Sequence, residues 1–133
     1  MHFPISVSPC VNKRSMRHGN KNRKLGRVKR KRVALLRSLA RSLILQEGIT
    51  TTTAKAKALR PYIERLITIS KDGGIASRRL IGSRLGGAPD AVKKLHETLA
   101  SRYEKRAGGY TRITRLGQTG KRAADTSRIE LVK

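Results

Sequence analysis

Between Lys13 and Arg32, eleven residues are Lys or Arg and none is acidic; the first carboxylate of the whole chain is Glu47. Such a block cannot offset its ordering entropy by burying apolar groups, so it is expected to be extended when free. Gly19, Gly26, Asn20 and Asn22 loosen it further. Folding is therefore left to the residues after Arg32. Over all 133 residues, 32 Lys and Arg face 8 acids, for a net charge of +24. A compact body with that charge repels itself and calls for a polyanionic partner, of which nucleic acid is the commonest. The plainer alternatives are a generic basic tail or a surface kept basic for solubility. Solubility needs far less charge, and acids serve it better.

The length suits one small domain plus an arm. Hydrophobic residues make up 37%, with no Trp, one Phe and three Tyr. The core must be built from Leu, Ile, Val and Ala. It can be only modest, so binding is expected to supply part of the stability. The single cysteine, Cys10, excludes an intrachain disulfide and a cysteine-rich zinc site. No apolar run approaches the roughly 18 residues of a membrane helix. Met1 to Ser15, with Phe3, Ile5 and Val7 interrupted by Pro4 and Pro9, has neither a secretory nor a transit pattern. Residues 1–15 read as a disordered extension or a start-site artefact, Met16 offering a second start. Residues 16–32 read as a basic arm and 33–133 as a globular domain.

The charge runs directly into a helix over about Lys29 to Gln46. At about 100° per residue, Arg30 and Arg41 fall near Arg37, while Leu36, Leu39, Ala40 and Leu43 gather on another arc. One face packs and an adjacent stripe continues the arm, with Gly48 expected at C′. Ile49 to Thr52 is β-branched and reads as a short strand, after which Thr52 or Thr53 is expected to cap a second helix. That helix carries Ala56, Leu59, Ile63, Leu66 and Ile67 at helical spacing. Pro61 should kink or divide it, and Asp72-Gly73-Gly74 should stop it. A third helix runs over about Ile75 to Leu85. A fourth begins at Pro89-Asp90 with Asp90 as cap and Val92, Leu95, Leu99 and Tyr103 on one face. After Gly108-Gly109 the period changes to two. Tyr110 to Leu116 and Arg128 to Val132 read as an antiparallel hairpin pairing with the Ile49 strand, with Gly117 to Ser127 as its loop. The expected class is α+β: a two-layer α/β domain of about four helices on a small three-stranded sheet, with the basic arm ahead of it.

Nothing in the sequence suggests catalysis. Most of the eight acids sit at helix ends or beside bases, without a pair spaced for acid–base work. His2, His18 and His96 share no context, so neither a metal site nor a nucleophilic set is expected. Gly117 to Lys121 fails the phosphate-loop spacing and reads as a hairpin tip, where Lys121 and Arg122 still offer an anion two donors. The polyanion-facing candidates along the charge block and stripe are Arg23, Lys24, Arg27, Lys29, Arg30, Lys31, Arg32, Arg37 and Arg41. Lys55 on the second helix is as well explained by a solvated face. In Arg106-Ala107-Gly108-Gly109-Tyr110-Thr111-Arg112, two glycines permit close backbone approach, Tyr110 offers a π-face and the arginines suit phosphate. A flexible linker leading to a core tyrosine explains the same residues equally well.

Four stretches resemble those of the bacterial large-subunit ribosomal protein L17 family. They are Met16-Arg17-His18, the run Thr51-Thr52-Thr53-Ala54-Lys55-Ala56-Lys57-Ala58-Leu59-Arg60, the run Arg106 to Ile113, and Ile129-Glu130-Leu131-Val132. They occur in order across Met16 to Lys133. The resemblance implies a structural, non-enzymatic constituent of the large subunit. It also implies contact with 23S rRNA near the outer end of the exit tunnel, beside neighbouring large-subunit proteins, on cytoplasmic bacterial ribosomes, with no cofactor, membrane or small-molecule substrate. It further implies that Arg17, His18, Lys21, Arg106, Gly108, Gly109, Tyr110 and Arg112 face RNA. The chain departs from the family pattern in the fifteen residues before Met16 and in the loop Gly120 to Asp125. Two rival classes are a nucleoid DNA-binding protein, for which no helix-turn-helix or dimer element is visible, and an RNA-modifying enzyme, for which a carboxylate cluster and a cofactor loop are missing.

Overall fold

The computed structural model describes residues 23–119 and 123–132. The elements run in the order α1 Lys29–Gln46, β1 Gly48–Thr52, α2 Thr53–Ser70, α3 Ile75–Leu85, α4 Pro89–Lys94, a π-helical turn Leu95–Leu99, α5 Ala100–Arg102, β2 Thr111–Thr119 and β3 Ala124–Leu131. Because α4, the π-turn and α5 run on as one helical stretch, four helical rods pack on one three-stranded sheet. The α+β expectation holds.

All sheet pairs are antiparallel in the order β1-β3-β2, so the last of the described strands is the central one. Register places Ile49, Ile129 and Ile113 in one row across the sheet, with Thr50, Arg128 and Thr114 in the next. Side chains alternate between faces along a strand. The isoleucine row therefore meets the helices while the Thr-Arg-Thr row faces away. Ile129 is fully buried, and Ile49 and Ile113 pack against the core.

The core is aliphatic, as the composition requires. Ala40, Leu43 and Ile44 come from α1; Ala56, Leu59, Ile63, Leu66 and Ile67 from α2; Ile81 and Leu85 from α3; Ala91, Leu95 and Leu99 from the fourth rod. Tyr103 and Tyr110 are its buried aromatic members, their rings 5.1 Å apart and tilted by 51°. The hydroxyl of Tyr103 donates to the Val132 carbonyl, which ties the fourth rod to the end of the sheet. Buried hydroxyls are satisfied: Ser127 Oγ and Thr53 Oγ1 lie 2.7 Å apart, and Thr111 Oγ1 donates to Glu64 Oε1 at 3.0 Å.

Several local expectations fail for identifiable reasons. On α1, Leu36 is only half-buried and Ile44 takes its place in the core, because the first half of the helix extends past the body. Glu47, not Gly48, takes the left-handed position that ends α1, at φ 62, and its N–H bonds to the Leu43 carbonyl. Gly48 already belongs to β1. Thr52 holds the cap position of α2 as expected but makes no side-chain cap bond, and Thr53 Oγ1 is committed instead to Ser127 and the Asp125 carbonyl. Pro61 does not divide α2, which is continuous around it. The residue is exposed, so the Lys57 carbonyl it leaves without an N–H is near water. Asp90 lies inside the first turn of α4 and Ala88 holds the cap position, with Pro89 first in the helix. The hairpin strands reach further into the polar loop than alternation suggested. Their register shifts between Arg115 and Gly117, where Gly117 has φ 89.

Candidate nucleic-acid interface

The interface begins where the basic block becomes ordered backbone. Leu25 and Gly26 have φ 54 and 62, and the Arg27 N–H bonds to the Lys24 carbonyl at 3.1 Å. This tight turn delivers the chain to α1. Arg23, Lys24, Arg27, Lys29, Arg30 and Lys31 are exposed; Arg32 is half-buried and donates to the Arg27 carbonyl at 3.3 Å. The fully buried residues of α1 all lie in its second half, so its first two turns stand clear of the core.

Those turns are electrostatically unfavourable by themselves. A helix N-terminus carries the positive end of the backbone dipole, which acids stabilise and bases destabilise. Here Lys29, Arg30, Lys31 and Arg32 occupy the first turn, no acid is present there, and Val28 makes no side-chain cap. Each misplaced cation costs roughly 0.3–1 kcal/mol at low salt. An anion laid along this end would relieve the dipole and the mutual repulsion together.

Arg37 and Arg41, expected on the same stripe, turn inward and donate to backbone carbonyls at the end of α3. Lys55 is half-buried on the first turn of α2. Arg17, His18, Lys21, Lys121 and Arg122 lie outside the described residues.

The glycine loop resolves into two parts. Gly108 and Gly109 are exposed, Gly109 has φ 63, and no atom crowds the place where a Cβ would stand at either residue. Close approach of a partner is open here. Arg106 and Arg112 are exposed beside them, Arg106 Nε donating to the Gly108 carbonyl at 3.2 Å. Tyr110 is different. It is 1% exposed, packed against the tilted ring of Tyr103, and donates to the Arg106 carbonyl at 3.0 Å. Lys71 Nζ covers its ring at 4.8 Å and also donates to that carbonyl. The π-face expected for a base is therefore occupied, and the core-tyrosine reading applies. The hydrogen bond from Lys71 holds the Tyr110 hydroxyl below its usual pKa, whereas burial raises that of Tyr103.

Sequence reasoning missed Glu47. Its carboxylate accepts from Arg102 Nη1 at 2.9 Å and lies 3.1 Å from Lys94 Nζ. The hydrogen bonds from Arg102 and then Lys94 bring its pKa to about 2. Only its place as the first acid after a long basic run hinted at such a role. His96 is held below its ordinary pKa by burial and by nearby Arg78, and its Nε2 is sealed from solvent with no hydrogen-bond partner among the described residues. Among the described residues no group of His, Cys, Asp or Glu is placed to hold a metal ion, and no helix is long and apolar enough to cross a membrane.

The family model for "Ribosomal protein L17" matches residues 35–132, most of the chain. The chain belongs to the ribosomal protein L17 family. A protein of Novosphingobium aromaticivorans called "Large ribosomal subunit protein bL17" is 51% identical over 117 residues, 88% of this chain and 82% of that one. Counterparts of the same name in Sphingopyxis alaskensis and in a Hydrogenobaculum species are 50% and 48% identical. They cover 88% and 89% of this chain and 84% and 98% of their own lengths. Membership in the L17 family makes the chain a structural constituent of the ribosome and not an enzyme. The matched region takes in α1 from Leu35 onward, the whole sheet and the glycine loop.

Proposed function

We propose that the chain is a structural protein of the large ribosomal subunit that binds 23S rRNA through its basic arm and the start of α1, on the exit-tunnel side and beside other large-subunit proteins, in bacterial cytoplasm. The names of its relatives support the subunit. The observation that carries the RNA reading is the uncapped, acid-free first turn of α1 with its four consecutive cations. Phosphates along that turn neutralise cations that otherwise repel one another and the helix dipole. Exposed Arg23, Lys24 and Arg27 extend the contact, and Arg106, Arg112 and the open Gly108-Gly109 backbone supply a second one from the body. Recognition is then of backbone and shape rather than of base sequence.

The test is a salt titration of full-length protein on 23S rRNA and on duplex DNA. With about ten phosphates engaged, log affinity falls with log salt at a slope of roughly −7 to −9. Replacing Lys29, Arg30, Lys31 and Arg32 together by Gln shallows that slope by about 3. Equal affinity for duplex DNA, together with failure to co-sediment with large subunits, would overturn the reading. Deleting Met16 to Arg32 is expected to leave the body 33–133 folded, since every fully buried core residue lies at Ala40 or beyond, and to abolish incorporation into subunits. Cryo-electron microscopy of particles carrying the chain checks its place beside the exit tunnel.

A further inference from the structure

The basic residues of α1 do not all serve one surface. Arg37 Nε donates to the Arg84 carbonyl at 2.9 Å and Arg37 Nη2 to that of Ser83 at 3.3 Å. Arg41 donates to the Leu85 carbonyl from Nε at 2.9 Å and from Nη2 at 2.5 Å, and from Nη2 to the Gly86 carbonyl at 2.6 Å. Tyr62 of α2 adds its hydroxyl to the Arg84 carbonyl at 2.7 Å. Four successive carbonyls, at the end of α3, are thus met by side chains from α1 and α2. The last carbonyls of a helix lack partners within it and carry the negative end of its dipole, so guanidinium is well matched to them. Gly86 has φ 70, and a Cβ there would stand 3.1 Å from Arg41 Nη2, so a side chain at this position would press the guanidinium aside by a few tenths of an ångström.

We propose that Arg37 and Arg41 are positioning residues that clasp the end of α3 and fix the direction in which the exposed start of α1 leaves the body, rather than ligands of phosphate. The purpose of the clasp rests on the RNA reading above; the clasp itself belongs to the free protein. Ala40, Leu43 and Ile44, the buried residues of α1, all lie at or beyond the clasp, so the two arginines are the main hold on the helix as it emerges. A lysine keeps the charge but not the planar fork that reaches neighbouring carbonyls at once.

The experiment uses the full chain with Cys10→Ser and spin labels on Lys31→Cys and Thr98→Cys, both exposed sites. The label-to-label distance distribution is compared with and without Arg37→Met/Arg41→Met, and with the milder single changes Arg37→Lys and Arg41→Lys. The expected result is a broader distribution in every variant, a cooperative melt in the single lysine variants, rRNA affinity reduced about tenfold in the double Met variant, and a salt slope unchanged. An unaltered distribution, with the slope shallowed by about 1.5 in the double Met variant and restored by lysine, would overturn the proposal and make both residues phosphate ligands. Failure of the unmodified chain to bind rRNA would sink the functional reading alone, because the distance measurement decides the clasp without RNA.

Discussion

Glu47 and Arg102 meet through a 2.9 Å hydrogen bond that joins the end of α1 to the end of the fourth rod, fifty-five residues further along the chain. Lys94 lies 3.1 Å from the same carboxylate on its other oxygen. Glu47 also terminates its helix in a left-handed conformation, which a non-glycine residue adopts at some cost. The two cations hold in place a backbone turn that glycine would ordinarily supply.

The pH dependence of this cluster has a definite sign. The folded pKa of Glu47 is about 2 against an ordinary value of 4.5. A depressed carboxylate pKa contributes stability that is present above about 4.5 and is lost as pH falls toward 2. With the pair partly exposed to solvent, the contribution is about 1–2 kcal/mol. Glu47→Gln should lower stability by that amount at neutral pH and flatten the acid limb, as measured by urea unfolding across the range.

Tyr110 separates packing from recognition. Tyr110→Phe removes the bond to the Arg106 carbonyl and should cost about 1 kcal/mol, whereas Tyr110→Ala should cost about 3–5 kcal/mol through the cavity left against Tyr103. Affinity of the Phe variant for rRNA should match that of the parent in the same salt titration. A large loss in Tyr110→Phe at unchanged stability would mean that the hydroxyl meets RNA.

Ile129 sits in the middle of the isoleucine row on the central strand. Ile129→Ala should destabilise by about 3 kcal/mol, and the thermal melt should lose helix and strand signals together, because the row is where the two layers meet.

Pro61 interrupts the hydrogen-bond ladder of α2 on an exposed face. Pro61→Ala restores a backbone donor at a site with no packing to lose, and the stability should rise by about 1–2 kcal/mol. A calorimetric scan showing no rise would mean that stiffening of the unfolded chain by Pro61 offsets the gain.

Much of the architecture was legible because periodicity reports burial directly. The bounds of α1, the core positions of α2 from Ala56 to Ile67, and the pairing of Ile49 with a C-terminal hairpin all came from where apolar residues recur. What was not legible depends on side chains that choose between distant partners. Thr53 is a good capping residue, yet Ser127 claims its hydroxyl. Arg37 and Arg41 share a helix face with Arg30, and only the approach of the α3 terminus turns them inward. Tyr110 reads equally as platform or core until Tyr103 and Lys71 are placed around it. Glu47 gave no signal through spacing, since Lys94 and Arg102 reach it from a rod that includes a π-turn. The arm's composition pointed to a polyanion from the outset, whereas the unfavourable helix start that sharpens the point emerged only with the first turn of α1.

The strand order bears on when this molecule can assume its shape during synthesis. Among the described strands β3 is translated last, yet it lies between β1 and β2. Until Ala124 to Leu131 have emerged, neither outer strand has a neighbour, and the isoleucine row lacks its middle member. The helices can gather earlier through local contacts, but the sheet closes only around the final segment, with a long loop-closure step before any pairing to β1. Ribosomes stalled before Ala124 has been translated should therefore carry a collapsed, protease-sensitive helical intermediate. Premature termination there would leave a gap through the centre of the sheet instead of trimming its margin.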